Sequence, residues 1–550
     1  MTQPVSGKNR NILFLFIGLM ITMLMASLNQ TVLSTALPTI VGQLNGVEQM
    51  TWVITAYILA STIVMPVYGR ISDLLGRKPV ILAAIGIFIV GSIVGGLAPN
   101  IDVLIAARVL QGLGGGGLMI LSQAAIADVV PARDRGRYMG AIGAVFAVSS
   151  VAGPLLGGWL TDGPGWRWAF WVNIPLGVLA LAACLVFLKL PAVERTERPK
   201  LDYLGMSLIA AATTMLVLVC TWGGGQYAWG SPQIIGLIVA TVAAAAAFCW
   251  AETRAENPVI PLALFTDRNF TLSTIAALMI GVAMFGALGY MPTYIQMVTH
   301  VTATHAGLLM IPMMGGLLVA SIGSGRVVSA TGKYKAFPIV GSVIIAVGLG
   351  LLSTLRVESP TWLMCTYLAV LGVGIGLALQ ILTLIVQNSF PLRIVGTATA
   401  SMNYFRQVGA TLGSAIVGSI FTSRLVDAIM GRMASGELPA EGGESTLKQL
   451  TPSVVNGLPE AVRQPIIHAY NGALLPIFLC LVPLAVIALI ALLFIEPKPL
   501  ATSVQKEAPA ESLAEGQLLE MVDDGDGITA FGGPATGASA DDGAREPVRV

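Results

Sequence analysis

Charged residues are scarce in this chain: Asp, Glu, Lys and Arg make up only 11% of its 550 residues, whereas soluble proteins carry about 25%. Hydrophobic residues make up 55%, enough to fill fourteen membrane spans of about 20 residues each. This composition excludes a soluble enzyme and a disordered chain. The formal net charge of +1 gives no bulk attraction to nucleic acid. We therefore predict an all-α polytopic protein of the lipid bilayer with no nucleic-acid partner.

Histidine and cysteine are also few, with three and five residues respectively. The cysteines lie in apolar runs without metal-ligand spacing, and the histidines fall in predicted external loops. The chain has no GxxxxGK-S/T phosphate-binding loop, which argues against ATP-driven transport. A membrane-embedded enzyme would need a cluster of His or acids at one depth, and the sequence has none. We expect no metal, no cofactor and no enzymatic activity.

Apolar runs of spanning length recur from end to end, separated by short polar breaks that contain Gly or Pro. A charge at the bilayer centre costs at least ~2.5 kcal/mol, so each span should end where charges begin. The predicted spans lie near 11–33, 50–69, 79–98, 102–127, 138–160, 168–188, 203–223, 232–250, 271–296, 303–325, 336–355, 361–388, 398–424 and 470–494.

Lys and Arg are concentrated in alternate loops, for example Arg70 and Arg77 after span 2 and Arg133 and Arg135 before span 5. The positive-inside rule places these loops, and both termini, in the cytoplasm. We expect a multi-pass protein of the bacterial cytoplasmic membrane. Its first apolar run is longer than a typical signal-peptide core and should be retained as a span.

The spans and loops together predict the domain organisation. Residues 497–550 are rich in Ala, Gly, Glu and Asp and are expected to form a disordered cytoplasmic tail. The other predicted parts are a cytoplasmic N-terminus at 1–10, an N-terminal six-helix bundle at 11–188, two inserted helices at 203–250, and a C-terminal six-helix bundle at 271–494 with an external loop at 426–468.

The chain repeats itself at an offset of about 260 residues. Spans 1–6 thus recur as spans 9–14 in the same orientation, because a step of eight spans is even. Parallel repeats are related by an axis along the membrane normal, with the substrate site between them near the midplane. The matching positions are Gly112, Gly114 and Gly116 with Gly372, Gly374 and Gly376; Pro131, Arg133 and Gly136 with Pro391, Arg393 and Gly396; and Gly153 and Gly158 with Gly413 and Gly418.

The loop between spans 2 and 3 runs from Gly69 to Lys78 and contains Asp73, Gly76 and Arg77. Glycines permit a tight turn between helices, and opposite charges four residues apart can pair. A generic basic loop would explain the arginines and the lysine but not Asp73. We therefore expect the charges of this loop to pair across the cytoplasmic ends of neighbouring helices.

Span 4 contains Arg108, Gln111 and a run of glycines. An arginine in hydrocarbon persists only where it faces water or polar partners, so Arg108 is a functional candidate. Snorkelling to the surface is the alternative, although Arg108 lies well inside the predicted span.

Span 5 ends with Gly153, Pro154, Gly157 and Gly158. The proline removes a backbone hydrogen bond and the glycines reduce bulk, so this helix can kink and repack. Helix packing alone would explain the glycines but not the whole set.

These motifs resemble those of the major facilitator superfamily. The 69–78 loop, Arg108-x-x-Gln111-Gly112 and Gly153-Pro154-x-x-Gly157-Gly158 are similar to its signatures, and Trp166–Pro175 and Tyr294-Ile295-Gln296 resemble its fourteen-span EmrB/QacA-type branch. The resemblance implies the facilitator fold plus two inserted helices. It also implies a drug:proton antiporter that confers antibiotic resistance. In such a protein Arg77 pairs with an acid at the inner end of span 4, here Asp128, and this charge relay acts as a gate that breaks when the transporter switches between its inward- and outward-open states.

One position departs from that branch. Where its members have an acid in the outer part of span 1, this chain has Asn29, which cannot titrate. If protons couple to transport, the carrier should be peripheral, with Asp128 on the inner side or Glu48 on the outer side as candidates. The substrate itself could also carry the proton, or coupling could be absent.

The remaining polar residues of the apolar runs are candidates for the substrate cavity, although many could instead tie helices together. We expect a monomeric exporter of amphipathic, drug-like small molecules, with protons as the coupling partner. The alternative is export of a lipid, a peptide or an anionic metabolite, because Arg108 and Arg406 lack acidic neighbours in sequence. The cavity candidates are Tyr57, Gln111, Tyr290, Tyr294, Gln296, Gln380, Gln387, Asn403 and Arg406.

Overall fold

The computed structural model describes residues 5–44, 46, 49–188, 200–224, 226–435, 455 and 457–502. These residues lie in one compact unit, Met1–Val504. Across the described ranges the regular structure is helical, and the β pairing given there is one isolated bridge between Gly223 and Tyr227. The predicted all-α architecture is confirmed.

Within the described ranges, fourteen helices are long and apolar enough to cross a membrane, as predicted. Three of them are interrupted: span 6 after Trp171, span 9 after Leu288 and span 10 after Leu309. The spans are Leu13–Gln43, Met50–Leu75, Arg77–Gly96, Ile101–Val129, Ala132–Asp162, Trp168–Phe187, Tyr203–Trp222, Pro232–Glu252, Arg268–Thr299, His305–Thr331, Ala336–Ser353, Thr361–Ser389, Val395–Ala434 and Glu460–Leu493.

Span 1 ends ten residues later than predicted, at Gln43 rather than 33. Polar residues suggested an earlier end, but their hydroxyls bond to carbonyls of the preceding turn. Ser34 Oγ donates to Thr31 O at 2.8 Å, and Thr35 Oγ1 donates to Thr31 O at 3.1 Å. Because these groups are satisfied within the helix, the helix continues past Pro38.

Two predicted segments are shorter than expected. The helices of spans 13 and 14 extend to Ala434 and start at Glu460, so the loop between them is shorter than 426–468. Short helices expected in that loop fall largely outside the described residues. The predicted tail, 497–550, also starts too early: residues 497–502 pack against helix ends, and the rest of it lies outside the described residues.

The two bundles have separate apolar cores, one built from residues 15–188 and the other almost entirely from residues 264–500. Repeated glycines make equivalent contacts in each. A Cβ added to Gly114 would lie 2.6 Å from Phe88 N on span 3, and one added to Gly374 would lie 2.7 Å from Ile345 N on span 11. Only glycine permits such close helix approach, so the sequence repeat is a repeat of helix packing.

The inserted spans 7 and 8 contact both bundles. Thr213 of span 7 hydrogen bonds to Tyr404 of span 13 over 2.8 Å. Arg70 of span 2 donates to the side chain of Asn257, in the segment after span 8, at 2.9 Å. The inserted pair therefore braces the junction between spans 2 and 13, which belong to different bundles.

We call the end of the molecule with the loops after spans 2, 4 and 10 the basic end. Arg70, Lys78, Arg133 and Arg137 lie there, and the positive-inside rule predicts that it faces the cytoplasm. The other end is called the opposite end.

Candidate functional site

A buried charge cluster lies at the basic end. Gly76 joins spans 2 and 3 with φ of +88°, a conformation that favours glycine. This turn places Arg77, 5% exposed, against two carboxylates: it pairs with Asp73, and its Nε lies 3.1 Å from Asp128 Oδ2. Arg77 Nη1 also donates to Ser72 Oγ at 2.6 Å. The guanidinium thus links spans 2, 3 and 4.

Asp73 reaches from this cluster to the other bundle. Its Oδ2 accepts hydrogen bonds from Thr397 N at 2.6 Å and Thr397 Oγ1 at 2.5 Å. Thr397 lies in the first turn of span 13, where backbone N–H groups have no partner inside the helix and favour a negative charge. A Cβ on Gly69 would lie 2.9 Å from Gly396 O, so the two helices meet almost backbone to backbone.

The repeat places a second, neutral contact between spans 10 and 5, in the second turn of span 5. Ser329 lies 256 residues after Asp73, and its Oγ accepts a hydrogen bond from Arg137 N at 3.1 Å. That amide lies 260 residues before the one capped in span 13. Gly325 packs on Gly136 in the same way. The offset of the repeat could have identified Ser329 as the counterpart of Asp73. Because Ser329 is uncharged, nothing else in the sequence pointed to it.

Arg135 is another residue that sequence reasoning missed. It is 5% exposed and donates to the carbonyls of Ala127 at 2.6 Å and Val130 at 2.9 Å, where span 4 ends. Its Nη1 also reaches Gln387 O of span 12 at 3.4 Å. A buried arginine therefore caps one bundle's helix and contacts the other bundle.

Two of the cavity candidates, Gln387 and Asn403, also lie at this junction. Gln387 Nε2 donates to Gln123 O at 3.4 Å, and Asn403 Nδ2 donates to Gln123 Oε1 at 3.3 Å. All of these bonds between the bundles lie in the basic half of the molecule. In the opposite half the approach between spans 5 and 10 is wider, with Pro154 Cβ 4.0 Å from a Cβ added to Gly307. The structure is closed at the basic end.

A polar network is buried inside the N-terminal bundle. Asn29 Oδ1 accepts from Gln111 Nε2 and from Asn173 Nδ2, each at 3.2 Å. Gln111 Nε2 also donates to Ser92 Oγ at 2.9 Å. Spans 1, 3, 4 and 6 are thus joined around Asn29, and the group at the centre of the network is a neutral amide.

Arg108 extends this network and does not snorkel. It is 2% exposed, donates to Gln111 Oε1 at 2.8 Å and to Val53 O at 3.1 Å, and lies 4.2 Å from the centre of the Tyr57 ring. Neutral acceptors and an aromatic face stabilise the charge. Among the described residues no carboxylate pairs with it.

Arg406 is the second arginine of the membrane interior. It lies eleven residues into span 13, about 16 Å along the helix and so near the bilayer midplane. Its backbone packs against Gly281 of span 9, while its half-buried guanidinium has no hydrogen bond or ion pair within the described ranges. Gln380 of span 12 is buried in the same bundle.

The remaining cavity candidates lie together in the opposite half of the C-terminal bundle. Tyr294 donates to Asn471 Oδ1 at 2.7 Å, Tyr290 donates to Ser414 O at 3.1 Å, and Gln296 bonds back to its own helix. The candidates therefore fall into four groups, which are Tyr57 with Gln111, Gln387 with Asn403, Gln380 with Arg406, and Tyr290 with Tyr294 and Gln296. Asn471 and Ser414 gave no signal in the sequence beyond being polar.

The glycine motif of span 5 packs on span 1. A Cβ on Gly157 would lie 2.6 Å from Val32 O, and Gly153 contacts Thr31 closely, while no atom lies within 4 Å of a Cβ on Gly158. Thr31 Oγ1 donates to Ser149 O at 3.0 Å, one turn before Pro154. This pairing holds the proline-containing segment against span 1.

Residues 19–414 match the Major Facilitator Superfamily, and the chain belongs to that family. A Mycobacterium tuberculosis protein described as an uncharacterized MFS-type transporter is 41% identical over 93% of this chain and 73% of its own length. The multidrug transporter protein MdtP of Bacillus subtilis is 34% identical over 87% of this chain and 89% of its own length. Multidrug resistance protein 3 of the same organism is 30% identical, covering 92% and 99%.

Solved structures agree on the fold. The human organic anion transporter MFSD10 superposes with a TM-score of 0.57 at 14% identity, covering 89% of this chain and all of its own. The proton:xylose symporter XylE gives 0.54 at 16% identity, covering 90% and 98%. The chain is therefore a multi-pass membrane transporter of the facilitator fold and not an enzyme, and multidrug efflux proteins are among its relatives.

The first prediction concerns the Asp73 cap. Replacing Asp73 by alanine leaves the Thr397 amide without its acceptor, and loss of a helix cap costs about 1 kcal/mol, roughly fivefold in an equilibrium. A cysteine at Asn403, 2% exposed at the bundle junction, should then react about fivefold faster with a membrane-impermeant maleimide. The measurement uses a chain without native cysteines, in vesicles of both orientations.

The matched control is Asp102→Ala, which removes an acid from the first turn of span 4 at the opposite end. It should leave the labelling rate at position 403 unchanged. Equal labelling of Asp73→Ala and the parent at equal expression would contradict the assigned role of the cap.

Proposed function

We propose that the protein is a secondary active transporter that exports amphipathic, drug-like molecules across the bacterial cytoplasmic membrane by alternating access. The observation that carries the proposal is the closure of the basic end by contacts that can separate cleanly. The Thr397 amide lies in the first turn of span 13, where water can replace the Asp73 acceptor when the bundles part, and the Arg137 amide lies in the second turn of span 5.

The energetics suit a reversible switch. A net hydrogen bond contributes about 0.5–1.5 kcal/mol, so the few bonds between the bundles amount to a barrier that substrate binding can offset. The close glycine contacts at Gly69 and Gly325 bring helices together with little side-chain interdigitation. The bundles can therefore part as rigid bodies. With the basic end cytoplasmic, the closed form is the one that releases cargo outside.

The type of cargo rests on two observations. Two relatives of this chain are named for multidrug transport or resistance. The chain also contains 22 methionines, whose flexible side chains adapt to varied apolar ligands. A broad range of amphipathic substrates fits both.

The test is export from everted vesicles loaded with a panel of cationic, neutral and anionic dyes, with and without a protonophore. We expect uptake of several dyes by wild type and at least a severalfold loss in Asp73→Ala at equal expression. No uptake of any dye above that of vesicles without the protein, across pH 5.5–8.0, would overturn the proposal.

We propose that the residue that carries the proton lies at the periphery of the protein, because Asn29 cannot titrate. Asp128 is the candidate among the described residues, since it is partly buried, bonds to Arg77 Nε and belongs to the cluster that must rearrange when the basic end opens. Glu48, the other candidate, lies outside the described residues.

Substituting Asn29→Asp tests this arrangement. Two donors, Gln111 Nε2 and Asn173 Nδ2, already point at Oδ1, so a carboxylate there gains hydrogen bonds and a nearby cation in Arg108. We expect export to become steeper in pH and to favour cationic cargo by several fold. The readout is substrate-induced proton movement in proteoliposomes, with Asn173→Asp as the matched control. Strong wild-type coupling that survives Asp128→Asn combined with Glu48→Gln would contradict the peripheral carrier.

Anionic cargo is the second candidate, and Arg406 favours it. A charge that is removed from water without a partner is costly, and the guanidinium of Arg406 is half-buried near the midplane. An anionic group on the substrate would supply its missing countercharge. Arg108 adds positive charge to the same interior.

The test compares Arg406→Gln with Arg406→Lys. An anionic function predicts at least a tenfold loss of export of anionic dyes in Arg406→Gln, substantial retention in Arg406→Lys, and unchanged export of cationic dyes in both. Equal losses for all dyes would make Arg406 a structural residue and remove the case for anionic cargo.

A further inference from the structure

After span 14 the chain continues along the basic end as an extended segment, residues 495–501, which we call the strap. Its two apolar side chains, Ile495 and Leu500, are 2% and 9% exposed and belong to the core of the C-terminal bundle. A segment without helical hydrogen bonds remains in place here because its side chains and its backbone both have partners.

The first polar anchor joins the strap to the start of span 9. Asn269, a buried residue, exchanges two hydrogen bonds with the backbone of Glu496: Glu496 N donates to Asn269 Oδ1 at 2.9 Å, and Asn269 Nδ2 donates to Glu496 O at 2.8 Å. The Arg268–Glu496 ion pair is exposed and adds little. The amide pair therefore fixes the register of the strap.

The second anchor lies in the middle of the strap. Tyr334 Oη accepts from Lys498 N at 2.7 Å and donates to Lys498 O at 3.1 Å. Burial raises the pKa of Tyr334, so its hydroxyl keeps its proton and remains a donor. Asn388, next to the end of span 12, donates to the carbonyls of Lys498 at 3.4 Å and Pro499 at 3.2 Å.

The last contact crosses to the other bundle. Ala501 O accepts a hydrogen bond from Arg133 N at 3.0 Å, in the first turn of span 5. The side chain of Arg133 bonds in turn to Ser329 O at 3.3 Å and Ala330 O at 3.2 Å, where span 10 ends. The end of the strap therefore lies at the junction of spans 5 and 10, beside the hydrogen bond between Ser329 Oγ and Arg137 N.

The repeat explains why this junction needs a further contact. The counterparts of Asp73 and Asp128 are Ser329 and Asn388, 256 and 260 residues later. The C-terminal bundle thus lacks both carboxylates of the charge cluster. Asn388 instead holds the strap, and the strap supplies a carbonyl to the first turn of span 5, whereas Ser329 contacts the amide of Arg137 in the second turn.

We propose that the strap is a working part of the gate, which stabilises the form closed at the basic end by capping span 5 with Ala501. The junction between spans 2 and 13 is closed by the Asp73 carboxylate and the inserted helices. The junction between spans 5 and 10 is closed by Ser329 and the strap. This inference rests on the proposed alternating access, and the experiment below separates the two. The alternative is that the strap only anchors the C-terminal bundle.

The experiment follows labelling of a cysteine at Ser321, 1% exposed and bonded to Gly140 O across the 5–10 junction. A chain truncated after residue 502 keeps every strap contact described and is the control. A chain truncated after residue 498 loses Leu500 and Ala501. Loss of one hydrogen bond of about 1 kcal/mol should raise the labelling rate from the basic end about fivefold.

A rescue variant distinguishes the gate from an anchor. Ser329→Asp places a carboxylate at the start of span 5, as Asp73 does for span 13, and should return labelling of the 498 truncation to within about twofold of the control. An anchor role would lower the melting temperature without changing labelling, and that result overturns the proposal. If the truncated chain fails to express, full-length Tyr334→Phe, which loses both bonds to Lys498, must raise labelling or the proposal fails.

Asp73→Ala serves as the reference in the same vesicles. If it raises labelling at 321 while the strap variants do not, the strap proposal fails and alternating access stands. If neither it nor any strap variant changes labelling from either side, the gate itself has been misassigned and the proposed function fails with it.

Discussion

The first turn of every membrane helix carries backbone N–H groups that no residue of the same helix can satisfy. In water they would bind solvent, but at a closed bundle junction the acceptor has to come from another part of the protein. Here the acceptors for the first turns of spans 13 and 5 come from the other bundle, through Asp73 and through the Ala501 carbonyl of the strap. Closure and capping are therefore one event: the bundles cannot part without uncapping two helices, and they cannot recap them without closing.

This constraint explains why the two halves of the repeat differ although their packing is equivalent. The glycine contacts are steric and recur with little change, as Gly69 on Gly396 and Gly325 on Gly136 show. The caps are electrostatic, and only one half has carboxylates. A carboxylate stabilises the N-terminus of a helix more strongly than a neutral acceptor does. The asymmetry concentrates the charge sensitivity of the closed form at spans 2, 3, 4 and 13.

Sequence reasoning predicted the fourteen spans, the repeat and the facilitator fold, because hydropathy and glycine spacing are local properties that the membrane enforces strictly. It failed where the outcome depended on a distant partner. Residues 497–501 were expected to belong to a solvated tail, and their hydrogen bonds with Tyr334 and Asn388 make them part of the packed structure. An amide in an apolar run, such as Gln387 or Asn403, does not reveal which carbonyl, side chain or water it faces.

The neutral amide at Asn29 has consequences beyond its own bonds. With an acid there, the N-terminal bundle would contain a titratable pair with Arg108, and the charge of its interior would follow pH. With Asn29, Arg108 relies on Gln111, Val53 and Tyr57, so its charge is constant across physiological pH. Desolvation of a fixed cation is tolerable only while its acceptors stay in place. The network is therefore expected to move as a rigid part of its bundle, and the charges that rearrange during transport are those of the gate at the basic end.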